Sequence, residues 1–181
     1  MRAIKILIDE HDLIIQCLDH LSLAAKKIVD NQGPPKEFFE GALDFCRVYA
    51  DKYHHWKEEY VMFSQLAQKH GGTLDNEIER HRSQHEQCRN LIQNVAESLE
   101  GYSMQLNENT RRVHRNVSDY VHTLRSHIKS ENEIFFPMVE QTLTDEEDKS
   151  LINEFEKYGN RTGSDIPSIY KKRISELADM L

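Results

Sequence analysis

The sequence predicts an all-α fold, an up-down-up-down four-helix bundle with a C-terminal helical extension. Hydrophobic residues recur at steps of three and four along most of the chain, which is the spacing of one face of a helix. Only 7 glycines and 4 prolines occur among the 181 residues, so the chain offers few turns and favours long helices with short connections. No segment shows a strand pattern that competes with this prediction.

The first two helices are separated by a break at residues 33–35, which read Gly-Pro-Pro. Helix 1 is predicted over about residues 3–31, on an apolar stripe that begins at Ile4. Helix 2 has Pro35 in its first turn, where a proline is tolerated because the N–H it lacks would be unpaired anyway. We expect helix 2 to end at His70, because two glycines follow.

Two further helices complete the predicted bundle. Helix 3 opens near Thr73 or Asp75, both suitable N-caps, and carries apolar residues as far as Leu99. A break over residues 101–110 separates it from helix 4, which is expected over about residues 110–141.

A C-terminal extension follows the bundle. Residues 144–147 read Thr-Asp-Glu-Glu, a capping box that opens a fifth helix. Residues 159–165 are expected to form a linker, and an amphipathic sixth helix should span about residues 167–181. We therefore expect a bundle over residues 1–141 and an extension over residues 142–181 that packs on it.

Composition excludes several classes of function. The chain has 31 acidic and 23 basic residues and a net charge of −8, which argues against a nucleic-acid partner because phosphate binding needs a basic face. No apolar stretch approaches the ~20 residues that span a bilayer, so no membrane partner is expected. The first ten residues lack the features of a signal peptide, and a cytoplasmic location is expected. Cys17, Cys46 and Cys88 lie far apart in sequence and suggest buried thiols rather than disulfides or a thiolate metal site.

Seven histidine and glutamate side chains are predicted to lie at one depth of the bundle. Residues on antiparallel helices meet when they are equally far from the connecting turn. The midpoints between successive candidates fall near residues 33–34, 69–70 and 106, which lie in or beside the three predicted turns. An error of two residues would shift the depth by only ~3 Å. The candidates are His11, His54, Glu58, His81, His85, His127 and Glu131.

Their spacing and chemistry indicate a metal site. Six of the seven form pairs four residues apart, so that each pair projects from one helix face. Five imidazoles and two carboxylates in an apolar layer would be very costly without cations. Seven ligands exceed one tetrahedral centre and suit two metal ions, and mixed imidazole and carboxylate ligation suits iron, manganese or zinc.

An internal repeat helps to choose between two His–Glu pairs that have the same spacing. The residues around His54 resemble those around His127, and this register matches Glu58 with Glu131. It favours the pair His54 and Glu58 over the equally spaced alternative of His55 and Glu59, which remains open. We expect His55 to face a neighbouring groove or solvent. In the other half of the repeat the counterpart of His81 is an apolar residue, so whether His81 ligates also remains open.

These residues resemble the hemerythrin family in its bacterial HHE cation-binding form, over about residues 1–141. The resemblance rests on Glu10-His11, on HHWKEEYVMF from His54, on Gln84-His85 and on HIKSENEIFFP from His127. One departure from animal hemerythrins is that position 132 is Asn where they have a ligating Asp; Glu131 is the candidate instead, as in HHE proteins.

The resemblance implies two iron ions bridged by an oxo or hydroxo group and by Glu58 and Glu131. His11 and His54 would bind one iron, and His81, His85 and His127 the other. Manganese and zinc remain alternatives. Because ligating imidazoles usually donate their second N–H, we expect partners for them among Asp51, Glu86 and Glu10.

Three functions compete. Binding or sensing of O2 comes first by family resemblance, which makes O2 or another small diatomic or peroxide the expected ligand. The second is an enzyme that reduces peroxide or nitric oxide, and the third is iron storage, iron delivery or repair of iron centres. The C-terminal helix could also serve a protein partner or dimerisation.

Overall fold

A computed structural model describes residues 1–67, 69–163 and 165–181, with only the backbone described for His70. These residues form six helices and no strand, which confirms the all-α prediction. Among them, no helix is long and apolar enough to cross a membrane. The four long helices pack in a ring of neighbours: α1 on α2, α2 on α3, α3 on α4 and α4 on α1. The up-down-up-down order of these helices stays a prediction.

The helices, labelled in chain order, begin and end close to the predicted positions. Helices α2 and α4 are each a continuous run of α-helical and π-helical segments. The bounds are α1, Arg2–Val29; α2, Lys36–Phe45, Cys46–His55, Lys57–Met62 and Phe63–Leu66; α3, Asp75–Ser98; α4, Glu108–Ser130, Glu131–Phe135 and Phe136–Thr142; α5, Asp145–Thr162; and α6, Ile166–Ala178. A single 3₁₀ turn, His70–Gly72, precedes α3.

The π-helical segments coincide with two of the candidate ligands. The amide of Phe63 donates to the carbonyl of Glu58, and the amide of Phe136 donates to that of Glu131, five residues back in both cases. The wide turn in α4 directly precedes Pro137, which has no N–H to donate and would clash in a regular helix. π turns are rare and concentrate at functional sites. The hydrogen bonds of Phe63 and Phe136 show that the same π turn occurs in both halves of the internal repeat.

Two apolar clusters form the core, one above and one below the layer of the candidate residues. Along α1, Leu7 belongs to one cluster and Ile14 to the other, with His11 between them. Along α3, Ile78 and Cys88 flank the layer in the same way. Burial of these apolar surfaces supplies the main driving force for folding and encloses the polar layer.

The extension packs on both clusters. From α5, Leu151 and Phe155 join the cluster near the start of α1, and from α6, Tyr170 and Ile174 join the other. Trp56 of α2 stacks on the ring of Tyr158, with centroids 3.5 Å apart and planes 8° from parallel.

The predicted linker at residues 159–165 was wrong in its first part, because α5 continues to Thr162. Tyr158, held by Trp56 and by the carbonyl of Lys52, keeps the chain helical past Gly159. The helix ends instead at Gly163, whose φ of 121° favours glycine. Ser164 lies outside the described residues.

The start of α1 is capped by a residue of α5. The buried carboxylate of Asp148 accepts hydrogen bonds from the backbone amides of Arg2, at 3.1 Å, and Ala3, at 2.9 Å. First-turn amides have no partner within their own helix, so Asp148 serves as an N-cap from a distant part of the chain. Thr144 and Glu147 form the predicted capping box at the start of α5 itself.

Candidate metal centre

The structure brings all seven predicted side chains together in one buried layer between the four long helices, and His55 joins them. Their potential ligand atoms fall into three groups in which every atom lies within 4.8 Å of the others. The groups are His11, His54, Glu58 and Glu131; His55, Glu58, His85 and His127; and His81, His127 and Glu131.

On the side of α1, two imidazoles point at a common position. The Nε2 atoms of His11 and His54 are 2.9 Å apart. Two ligands at right angles on one metal ion, each at a typical bond length, would be about 3.0 Å apart. A carboxylate oxygen of Glu131 lies 3.3 Å from His11 Nε2, and one of Glu58 lies 3.5 Å from His54 Nε2. These four atoms surround a position of suitable size for a cation.

A similar arrangement lies on the side of α3. The Nε2 atoms of His85 and His127 are also 2.9 Å apart. The second carboxylate oxygen of Glu58 lies 3.4 Å from His85 Nε2, and the second oxygen of Glu131 lies 3.4 Å from His81 Nδ1. Glu58 therefore turns one oxygen to each side. Glu131 lies between the two sides, since its oxygen near His11 is also 3.2 Å from His127 Nε2.

Five atoms in the middle of the layer lack a hydrogen-bond partner. Among the described residues, both carboxylate oxygens of Glu58, both of Glu131 and Nδ1 of His81 are buried with none. Leaving such groups unsatisfied in an apolar interior costs several kcal/mol each. The donor set of carboxylate oxygens and imidazole nitrogens fits cations that would satisfy all five atoms at once.

Most of the imidazoles are held from outside through their second nitrogen. Each of these Nδ1 atoms donates to an oxygen: His11 to Asn132 at 2.8 Å, His54 to Glu10 at 3.0 Å, His85 to Glu59 at 2.7 Å and His127 to Gln84 at 3.0 Å. Donation through Nδ1 leaves the Nε2 lone pair free to face the layer. The outer hydrogen bonds therefore fix the tautomer that metal binding needs.

The sequence identified these outer partners only in part. Glu10 was among the expected partners and does bind His54. Glu86 instead pairs with Arg89. Asn132, Gln84 and Glu59 were not expected as partners. Each is next in sequence to a candidate ligand of the neighbouring helix, and this adjacency could have indicated them.

His55 is not exposed to solvent, but it does line a neighbouring groove, a cavity between α2 and α3. Only 3% of His55 is exposed, and its ring stacks on His85 with centroids 3.9 Å apart and planes 12° from parallel. His54 and His55 are consecutive residues of the π-helical segment Cys46–His55, and both are buried. Glu59, its partner in the alternative register, belongs to none of the three groups and instead binds His85 Nδ1 and Arg89.

Burial keeps several of these imidazoles neutral. It lowers the pKa of His54 well below its ordinary value, that of His55 to about 3 and that of His81 to about 4. The neighbouring imidazoles lower the pKa of His54 and His55 further, since each would repel another positive charge. Neutral imidazole is the form that binds metal ions.

The two carboxylates behave differently. Burial and the proximity of Glu131 raise the pKa of Glu58 well above its ordinary value. Burial also acts to raise the pKa of Glu131, but His127, His11 and His85 outweigh it and hold that pKa well below the ordinary range. With protein groups alone, the layer thus accommodates one negative charge more readily than two. Cations would stabilise both carboxylates in their ionised form.

A buried ion pair supports the α1 side of the layer. Lys57 and Glu10 form a salt bridge, and the other Glu10 oxygen accepts the hydrogen bond from His54. The Lys57 ammonium also lies 3.5 Å from the centre of the Tyr53 ring, a favourable cation–π contact. This chain of contacts connects a surface cleft between α1, α2 and α5 to the candidate ligands.

A buried layer of imidazoles with carboxylates between them is typical of all-α proteins that bind metal ions between their helices. Comparison with protein families identifies the family to which this chain belongs. The chain belongs to the hemerythrin HHE cation-binding domain family, whose model matches residues 2–139. Comparison with curated proteins and with solved structures gave no match.

Proposed function

We propose that the protein holds two iron ions in this layer and binds or senses O2 there. The observation that carries the proposal is the set of four buried, unpartnered oxygens of Glu58 and Glu131 facing imidazole nitrogens on both sides. Iron is preferred to manganese and zinc because of family membership, since the donor set suits all three.

The proposed ligand assignment follows the contacts. His11 and His54, whose Nε2 atoms converge, would bind one iron. His85 and His127 converge in the same way and, with His81, would bind the other. Glu58 and Glu131 would bridge the two ions, since each has an oxygen near both sets of imidazoles.

His55 is assigned no ligand role in this proposal. Its ring lies parallel to that of His85, whereas imidazoles that ligate one ion converge on it. Its Nδ1 lies 3.4 Å from a carboxylate oxygen of Asp51, toward the surface. His55 would therefore pack behind His85 and restrict its movement.

The protein's own residues would exclude water and hold the ligands in place. Phe136 stacks near His11 and Phe63 near His85, at ring separations of 5.7 and 6.0 Å. These rings close the layer on the side of one apolar cluster. A pair of ferrous ions, when bound, supplies two electrons to O2. A pocket without water favours the release of O2 unchanged.

Metal analysis of paired variants tests this proposal. Wild-type protein should contain two irons per chain. Glu131→Gln should lose at least one, because an amide is a weaker ligand than a carboxylate and cannot bridge as well. Glu133→Gln, at an exposed position on the same segment, is the matched control and should keep both. One zinc per chain, or full iron content in Glu131→Gln, would overturn the proposal.

Stopped-flow absorption of the reduced, iron-loaded protein separates the three functions. An absorption change that appears with O2 and reverses under vacuum would support binding or sensing. Catalytic consumption of peroxide or nitric oxide would support the enzyme instead. Transfer of iron to an apoprotein acceptor would support storage, delivery or repair.

A further inference from the structure

A series of oxidisable aromatic rings runs from beside His54 to the surface. Tyr53, Trp56 and Tyr60 follow one another at steps of three and four residues along α2, so they share a face of that helix. Tyr53 is 9% exposed, whereas Tyr60 is 64% exposed. Tyr158 of α5 packs against this face and completes the series. The only tryptophan and three of the seven tyrosines of the chain thus lie together.

Each ring of the series lies next to another. The centroids of Tyr53 and Tyr158 are 6.5 Å apart, with ring planes 29° from parallel. Tyr158 and Trp56 stack with centroids 3.5 Å apart. Trp56 in turn lies 5.7 Å from Tyr60, with planes 28° from parallel. These separations are those of interacting aromatic pairs, so an electron can move along the series in short steps.

The inner end of the series touches the groups that hold His54. The Lys57 ammonium lies 3.5 Å from the centre of the Tyr53 ring and forms a salt bridge with Glu10. Glu10 accepts the hydrogen bond from His54 Nδ1 at 3.0 Å. Tyr53 also directly precedes His54 in the sequence. The series therefore begins immediately outside the candidate metal layer.

Charge and exposure favour oxidation at the outer end. A ring that gives up an electron becomes positive, and the Lys57 ammonium would repel that charge on Tyr53. Trp56 and Tyr158 can share the charge between two stacked rings. Tyr60, which is exposed, can release its proton to water and become a neutral phenoxyl radical. An oxidised site in the series would therefore move outward to Tyr60.

A branch of the series ends in the core. Tyr49 stacks on Tyr53 with centroids 5.5 Å apart and lies 5.8 Å from Tyr170. Tyr49 and Tyr170 are both buried, so a radical on either ring would not meet a reductant in solution. Tyr60 is therefore the exit that the structure favours.

We propose that these four rings carry an electron from Tyr60 to the metal centre when hydrogen peroxide attacks a half-oxidised centre. The inference rests on the proposed function. Cleavage of peroxide takes two electrons. A centre with one ferrous and one ferric ion supplies one of them as its ferrous ion becomes ferric, and Tyr60 supplies the other through the rings between.

The atoms and charges of this step balance. The O–O bond of peroxide and the O–H bond of Tyr60 break, and the products are one ferric ion, one hydroxide ion, one water and a Tyr60 phenoxyl radical. A thiol or another hydrogen-atom donor in solution then restores Tyr60. The side chains that hold the metal are thereby spared oxidation.

The experiment uses the full-length, iron-loaded protein. The protein is reduced, freed of reductant by gel filtration without O2, and given one ferricyanide for every two irons, which oxidises half of the iron. One hydrogen peroxide per chain is then added with a nitroso spin trap, and trapped radicals are located by peptide mapping in a mass spectrometer. We expect the adduct on Tyr60, less of it when all the iron starts ferrous, and none in metal-free protein.

Conservative variants separate electron transfer from packing. Trp56→Phe keeps a ring between Tyr158 and Tyr60, but phenylalanine is hard to oxidise, so the Tyr60 adduct should be lost. Tyr60→Phe should move the adduct to Trp56 or Tyr158. Tyr102→Phe, at a ring that packs on Phe39 outside the series, is the control and should leave the adduct on Tyr60. Iron content and circular dichroism check that each variant keeps its centre and its fold.

The opposing outcomes are distinct. Two irons per chain with no adduct on Tyr60, or an adduct that Trp56→Phe leaves unchanged, would overturn this inference alone. Oxidation confined to the candidate ligands, or an equal yield of adduct in metal-free protein, would also overturn it. A chain that does not hold two irons would overturn the proposed function and this inference with it.

Discussion

The buried ion pair between Lys57 and Glu10 makes a measurable prediction about stability. Lys57 is 2% exposed and Glu10 is 7% exposed, so neither charge is solvated by bulk water. In Lys57→Met, Glu10 would keep its hydrogen bond from His54 but lose its counter-charge. Removing one partner of a buried pair typically costs about 3–5 kcal/mol.

Protonation of Glu10 sets an upper limit on the part of that cost that comes from the unpaired charge. Taking up a proton costs about 1.4 kcal/mol for each pH unit above the ordinary pKa. That pKa is 4.5, so the limit is about 3.4 kcal/mol at pH 7 and about 1.4 kcal/mol at pH 5.5. For a chain of this size, about 3 kcal/mol lowers Tm by roughly 6–12 °C.

The sign of the pH dependence follows from proton binding. Burial already raises the pKa of Glu10 in the folded protein, and Lys57 opposes that rise. Without Lys57 the folded-state pKa rises further above the unfolded value, so the folded variant binds more protons than the unfolded chain. Its stability relative to wild type therefore falls as the pH rises from about 5 to 7.

Urea unfolding of the metal-free protein, followed by circular dichroism at pH 5.5 and 7.0, measures these differences. The double variant Glu10→Gln with Lys57→Met should recover most of the loss, because no unpaired charge remains. Lys129→Met, at a side chain 72% exposed, is the control and should change stability by less than about 0.5 kcal/mol. The reasoning fails if Lys57→Met costs under 1 kcal/mol at pH 7, or if the double variant is no more stable than it.

Three further perturbations test other parts of the structure. Removal of bound metal with a chelator should lower the calorimetric Tm by about 8–16 °C. The reason is that a ligand present at a thousand times its Kd stabilises the folded protein by about 4 kcal/mol. An unchanged Tm would contradict a structural contribution of the metal. Asp148→Ala should lower the free energy of unfolding in urea by about 1–2 kcal/mol more than Asp145→Ala does. Both residues lie in the first turn of α5, but only Asp148 caps α1. Equal losses of stability would refute the cap. Asn132→Ala, which frees His11 Nδ1, should weaken metal affinity about 10- to 100-fold in a competitive chelator titration, and unaltered affinity would mean that the hydrogen bond does not orient His11.

Much of the fold follows from local signals in the sequence. Gly33, the prolines after it and the glycines at 71–72 place two turns, and helical periodicity supplies the segments between them. Equal distances from those turns then predict which side chains meet, and the structure does bring His11, His54 and the others together. Whether they bind metal stays a prediction.

Side-chain direction was harder to predict than depth. His55 was assigned to a groove or solvent because the internal repeat favours His54 as the ligand. It does line a cavity, but it is also buried and stacked on His85, which spacing did not indicate. Cys17, Cys46 and Cys88 are buried free thiols, as their scattered positions in the sequence predicted. Asp148 could not be foreseen, since no local pattern connects it to residues 146 positions earlier.

The hydrogen bonds from Arg2 and Ala3 to Asp148 have a consequence for the order of synthesis. α1 is synthesised before α5, so its opening amides find their partner only after about 145 further residues have been made. Until then its first turn frays readily. The helix that carries His11 is thus translated well before the residue that completes its first turn.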